Sequence, residues 1–319
     1  MKRLLFYFCL LITLAQCKSQ DTKLLSKTLI TDFSDFPFFE KVAIKTSAEV
    51  VWKERYKHID SINVSRITYS SDGLKVNGFC VSPKKKGEYP VIIFNRGGSF
   101  EFGALTVGLV ATWLGELANE GYVVLASQYR GNGGSEGKEE FGGGDINDVL
   151  NLIDVADEIE AADSEKIGMY GWSRGGMMTY LALPKTDRLK AAVVGGAVSD
   201  FRALEEDRPG FTEYIPNFEN NETEELDRRS AVLWADTFPK NVPILILHGN
   251  ADWRVKPEQS LNMALEFEKH RIPYRLMMFE GGDHGITEFR SEVNKEVISW
   301  FDRYLKNNEP LPNMEFHGR

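Results

Sequence analysis

Six short apolar runs recur through this chain: PVIIFN (90–95), YVVLASQY (122–129), KIGMYGW (166–172), LKAAVVGGA (189–197), VPILILHG (242–249) and YRLMMF (274–279). Each is too apolar on both faces to lie half in water, so each reads as a strand buried on both sides. Segments with helical spacing separate most of them. TVGLVATWLGELANEG (106–121), DINDVLNLIDVADEIE (145–160), RGGMMTYLAL (174–183, stopped by Pro184), PEQSLNMALEFEKH (257–270) and EFRSEVNKEVISWFDRYLKN (288–307) read as helices. Strands alternating with helices predict an α/β fold, a mostly parallel twisted sheet with helices on both faces. Ahead of it, VSRITYSSDGLKVNGFCVSP (64–83) alternates around Asp72-Gly73, a hairpin signal. Asp145 is placed to cap the helix that follows it. Residues 199–240 break the rhythm. They are acidic and aromatic-rich, and we expect a helical cap insertion that shapes a pocket.

The first residues differ from the rest. MKRLLFYFCLLITLAQCKSQ opens with Lys2 and Arg3, runs apolar from Leu4 to Leu14, and turns polar at Lys18. This is an export signal, too short to span a bilayer comfortably. LAQC also resembles a bacterial lipobox, with Cys17 as the lipidated residue and Gln16 as a departure from the usual small residue. Plain cleavage near Ala15 is the alternative. The expected organisation is a signal over 1–17, a lead segment over 18–63, a catalytic unit over 64–310 and a tail over 311–319. The expected location is the periplasm or cell envelope, or else the medium, with membrane contact only through Cys17.

Of the three cysteines, Cys9 and Cys17 lie in the leader. Cys80 is alone in the body, so the mature chain forms no internal disulfide, and Cys80 reads as a small buried hydrophobe. The net charge is −9, more negative once Lys2 and Arg3 leave. With no basic stripe, the composition argues against nucleic acid as a partner. No histidine pair has metal-ligand spacing, and no cofactor is expected.

Two serines sit in a Gly-x-Ser-x-Gly pattern, Ser135 in GNGGSEGK and Ser173 in YGWSRGGM. A nucleophile on a sharp turn needs a strand before it, a helix after it, and small flanking residues that let the two pass closely. Ser173 has all three: KIGMY, then Gly171 and Gly175, then GMMTYLAL. Ser135 lies inside a glycine loop with no apolar helix directly behind it, and its pattern reads as chance.

A serine needs a base, and the base an orienting acid. In an open α/β sheet the reactive groups gather at the C-terminal ends of the strands. Asp252 follows VPILILHG, and His284 follows YRLMMF. The order Ser, Asp, His is that of the α/β-hydrolase arrangement. Of the five histidines, His58, His270 and His317 lie away from such ends. His248 ends a strand and is the rival base, though it is better placed to fix the loop that holds the acid. Asp283 is too close to His284 in the chain to orient its ring, while Asp200 remains an alternative acid. The oxyanion donors expected are the backbone N–H of Arg174 and an N–H of Arg96 or Gly97 in NRGGSF.

YGWSRGGMMTYLAL, HGNADWRVKPEQS and GGDHG resemble the catalytic domain of the prolyl oligopeptidase family of serine peptidases. QYRGNGGSEGKEEFGGGDINDV is similar to the loop and helix before that family's elbow. The resemblance runs from about Val64 to Lys306. It implies an α/β-hydrolase fold and Ser173, Asp252 and His284 as the triad. Members usually carry a β-propeller before this domain, and the residues ahead of Val64 are too few for one. Arg96 also stands where relatives often carry His or Tyr, so the resemblance offers no side-chain oxyanion donor there.

The expected function is therefore serine hydrolysis through an acyl-enzyme, with small peptides as substrates. A carboxylesterase or acyl-sugar esterase is the alternative. A non-catalytic surface binding module is a third reading, and it would predict a broken triad.

Overall fold

The computed structural model describes residues 22–46 and 50–318; the leader, with Cys9 and Cys17, lies outside the described residues. Among the described residues, nine strands form one sheet. In chain order they are β1 (Leu24–Leu29), β2 (Ile62–Ser71), β3 (Leu74–Pro83), β4 (Tyr89–Asn95), β5 (Val123–Ser127), β6 (Ala162–Trp172), β7 (Leu189–Gly195), β8 (Ile244–Gly249) and β9 (Tyr274–Phe279). Their spatial order is β1-β2-β3-β5-β4-β6-β7-β8-β9. The pairs from β1 to β5 are antiparallel, and those from β5 to β9 are parallel.

Adjacent residues in the central strands serve opposite cores. Val91, Ile93, Val123, Leu125, Ile244 and Ile246 face one, and Ile92, Phe94, Val124, Ala126, Leu245 and Leu247 face the other. That is why these strands read as unbroken apolar runs. The first core is covered by α2 (Ile146–Ala156), α3 (Arg174–Ala182) and α6 (Glu258–His270). The second is covered by α1 (residues 107–119, with a π-helical turn at Val110–Leu114) and α7 (Arg290–Phe301). Residues 201–237 hold the short helices α4 (Phe201–Asp207) and α5 (Glu222–Arg228) with 3-10 turns between and after them.

The hairpin between β2 and β3 turns on Asp72 (φ 52°) and Gly73 (φ 79°), the left-handed pair that a two-residue type I′ turn requires. Cys80 is buried on β3, and burial pushes its thiol up to about 11, so it stays protonated and unreactive. The lead segment is more than a preface: β1 pairs with β2 and forms one edge of the sheet.

Asp145 stands at the N-cap position of α2, as expected, but its side chain makes no capping bond to that helix. It is fully buried, accepts from Gly142 N at 2.9 Å and pairs with the Arg174 guanidinium. A buried charge is more costly to leave unpaired than a helix end is to leave uncapped.

Candidate active site

Because β4 to β9 run parallel, their C-terminal ends share one edge of the sheet, and the loops there carry the predicted residues. β6 ends at Trp172 and α3 starts at Arg174, leaving Ser173 alone in the turn at φ 58°, ψ −122°. A side-chain-bearing residue held there costs on the order of 1–3 kcal/mol, so the surroundings must enforce it. Ser173 N donates to Gly195 O at 2.8 Å, and Ser173 O accepts from Gly176 N at 2.9 Å. A Cβ on Gly175 would lie 1.9 Å from Asn95 O, and one on Gly171 would lie 2.0 Å from Gly175 O. Strand and helix pass so closely that only glycine fits on either side of the turn.

Asp252 lies in the loop after β8 and is buried. Its Oδ1 accepts from Arg254 N (2.8 Å) and Val255 N (3.0 Å), and its Oδ2 accepts from His284 Nδ1 at 2.7 Å. Burial acts to raise this carboxyl, but hydrogen bonds from His248, His284 and Val255 N, with the attraction of the His284 ring whenever it is protonated, outweigh it. They hold the group well below the usual carboxylate range. With Nδ1 donating to Asp252, the His284 Nε2 lone pair is left for a proton acceptor's role. His284 and Ser173 line the same cavity.

The rivals are accounted for. His248 is fully buried; its Nε2 donates to Val255 O (2.9 Å) and reaches Asp252 Oδ2 at 3.3 Å, while Nδ1 meets Ser260 Oγ at 2.6 Å. It braces the acid loop. Asp200 caps α4, accepting from Ala203 N at 3.1 Å. Asp283 accepts from Gly285 N, Thr287 N and Thr287 Oγ1 at 2.9–3.0 Å, which closes its own turn. Ser135 Oγ accepts from Asn77 N at 2.9 Å, tying the glycine loop to β3.

The Arg96–Gly98 loop after β4 lies against the elbow. A Cβ on Gly97 would sit 2.9 Å from Trp172 O and 3.3 Å from Ser173 Cβ. The Arg96 side chain turns away, with Nε and Nη2 donating to Gln128 O at 3.1 and 3.0 Å. The buried Tyr129 hydroxyl, kept protonated by desolvation, donates to Arg96 O at 3.0 Å. The Arg174 N–H is the first of its helix and has no carbonyl four residues back within it.

Beneath the elbow lies a buried ion cluster. Arg174 Nη1 donates to Glu139 Oε1 (2.6 Å) and Gly98 O (2.9 Å), and its Nη2 donates to Asp145. Glu139 Oε2 accepts from Phe100 N (3.0 Å) and Asn132 Nδ2 (2.7 Å). The Arg174 guanidinium also stacks on Tyr129 and Phe141, 4.9 and 4.6 Å from their ring centroids. One residue thus joins the helix behind Ser173 to both neighbouring loops.

Sequence reasoning missed Trp172, whose Nε1 donates to His284 O at 2.8 Å and pins the histidine loop to the elbow. It also missed Gly196, where a Cβ would crowd His284 at 3.3 Å; the paired glycines of VVGGA were the available signal.

The main cavity, about 390 Å³, is lined by Ser173, His284, Gly97 and a mostly apolar wall that includes Leu105, Trp113 and Phe211. A second cavity, about 510 Å³, lies against His284, Trp172, Thr287 and Arg290, and shares Leu109 and Trp113 with the first.

Residues 110–308 match the family model described as the prolyl oligopeptidase family. The chain belongs to that family. It is accordingly a serine hydrolase with the α/β-hydrolase fold. It is 25% identical to the uncharacterized peptidase YtmA of Bacillus subtilis (strain 168) over 77% of this chain and 94% of YtmA. It is 30% identical to the uncharacterized peptidase YuxL of the same organism over 74% of this chain and 38% of YuxL. Among solved structures, Pyrococcus horikoshii acylaminoacyl peptidase aligns at 25% identity with a TM-score of 0.67, covering 79% of this chain and 43% of that one. The chain therefore spans nearly all of YtmA and under half of the other two.

Proposed function

We propose that Ser173, His284 and Asp252 are the catalytic triad of a peptidase acting on small peptides through an acyl-enzyme. The observation that carries this is the strained serine sharing a cavity with an imidazole whose far nitrogen is held 2.7 Å from a buried carboxylate. Ser173 attacks the scissile carbonyl as His284 takes its proton. The N–H groups of Arg174 and of the Arg96–Gly97 segment receive the oxyanion. The imidazolium, steadied by Asp252, passes its proton to the leaving amine, and water then releases the acid. A related acylaminoacyl peptidase structure, 25% identical, is a complex with Z-Gly-Gly-Phe-chloromethyl ketone, which supports a peptide over a sugar ester.

Labelling of the folded protein with a fluorophosphonate probe tests the reading. A single adduct on Ser173, and none on Ser135, is expected; an unmodified Ser173 in folded protein would count against it. We also infer export as a lipoprotein through Cys17, from the leader's basic start, apolar run and LAQC. Lipid label on the native chain, lost in Cys17→Ser, is the expected result; label-free native protein would leave plain secretion.

A further inference from the structure

Five side chains alternate beside the main cavity, and all but Trp253 line it. The Arg254 guanidinium lies 5.5 Å from the Phe102 ring and 5.4 Å from the Trp253 ring; that of Arg208 lies 5.4 Å from Trp253 and 5.3 Å from Phe211. Both arginines line the cavity that holds Ser173 and His284. They come from different places, Arg208 from the end of α4 and Arg254 from the loop that carries Asp252. Arg208 Nη1 donates to Arg254 O at 2.9 Å, which sets the two together.

Among the described residues, neither guanidinium has an ion-pair partner, in a chain whose net charge is −9. Three carboxylates close to them in the chain are engaged elsewhere. Asp207 pairs with Lys256, Glu205 accepts from Gly210 N and Phe211 N, and Asp252 faces its histidines. Phe102 and Trp253 are 64% and 70% exposed, although each is a large apolar ring. Stacked rings hold a guanidinium flat while leaving its N–H edge free to meet a planar anion. Two such edges with no acid of their own, at the mouth of an apolar cavity, suit a ligand with a hydrophobic body and a carboxylate.

We propose that Arg208 and Arg254 form a carboxylate subsite, so that the preferred substrates are short peptides with an anionic group beside an apolar residue. This rests on the triad reading above and adds the charge class of the substrate. The carboxylate is either an acid on the amino-terminal side of the scissile bond or the free carboxyl terminus on the other.

The test uses the full chain and two matched pairs of ligands. One pair is N-succinyl- and N-acetyl-Ala-Ala-Phe amide; the other is N-acetyl-Ala-Ala-Phe as the free acid and as the amide. Each is scored by the concentration that halves the rate of fluorophosphonate labelling of Ser173, and by titration calorimetry, which reads binding whether or not the serine labels. In one pair the anionic member is expected to act at about tenfold lower concentration, the scale of a charge-assisted hydrogen bond at a partly exposed site. Which pair shows it identifies the source of the carboxylate. The preference should shrink between low and high salt. It should fall toward one in Arg208→Gln and in Arg254→Gln, and Arg254→Glu should favour a cationic cap instead. Equal or inverted preference in both pairs, or a preference untouched by all three variants, would overturn the subsite. Absent labelling of Ser173 would instead sink the triad reading, and calorimetry would still decide the charge preference.

Discussion

Ser173→Ala is expected to lower kcat by about 10⁴ to 10⁶ on whatever substrate the native protein turns over. The alanine keeps the same Cβ at the same left-handed backbone position, so the turn, the Gly195 O contact and the packing of α3 are undisturbed. Its melting temperature should stay within about 4 °C of the native value, as for a change of under 1 kcal/mol in a large domain. The loss should fall almost wholly on kcat, because the missing oxygen takes part in bond making and not in seating the substrate. Turnover within tenfold of native, in protein shown to be folded, would move the chemistry to another residue.

Asp252→Asn is expected to cost about 10⁴ in kcat, through a tautomer and not through lost geometry. Arg254 N and Val255 N both donate to Oδ1, so the amide oxygen must occupy that position. The NH₂ is then forced to the Oδ2 position, where it faces His284 Nδ1 and His248 Nε2. A donor facing His284 Nδ1 places the ring proton on Nε2, and the lone pair that would accept the serine's proton is gone. The same carboxyl makes stability depend on pH. Its folded value lies well below the unfolded value of about 3.9. The stability it supplies is therefore present above that unfolded value and fades as pH falls toward the folded one. Urea melts should show the native protein's advantage over Asp252→Asn shrinking as pH drops from about 5 to 3. An advantage that stays constant or grows on acidification would mean that the carboxylate is not what stabilises the loop.

The sheet, the elbow and the candidate triad were legible because each leaves a local mark. A strand buried on both faces reads as VIIF or ILIL, and a tight strand-to-helix turn reads as glycines two before and two after the serine. Chain order and strand ends then narrowed the acid and the base. What stayed hidden depends on contacts between distant segments. Asp145 was legible at the N-cap position because a cap is a local motif, but its pairing with Arg174 was not, since that partner lies beyond a whole strand. The Trp172 anchor to His284 O spans 112 positions and uses a backbone atom that no residue type advertises. β1 was passed over because all but one of its residues are exposed in a LLSKTL run that shows no alternation of burial. Arg208 and Arg254 carry no local motif, and only the fold brings the Trp253 ring between them.

The cluster of Arg174, Glu139 and Asp145 has a historical consequence. Removing one member of a buried charge set strands the others, at a cost of about 3–5 kcal/mol, a large share of the 5–15 kcal/mol that holds a typical domain folded. Stepwise drift at these three positions must pass through barely viable intermediates. Lineages descended from this protein should either keep the trio intact or exchange it as a bloc, so the floor under Ser173 would be among the slowest parts of the molecule to diverge, whatever happens to its choice of substrate.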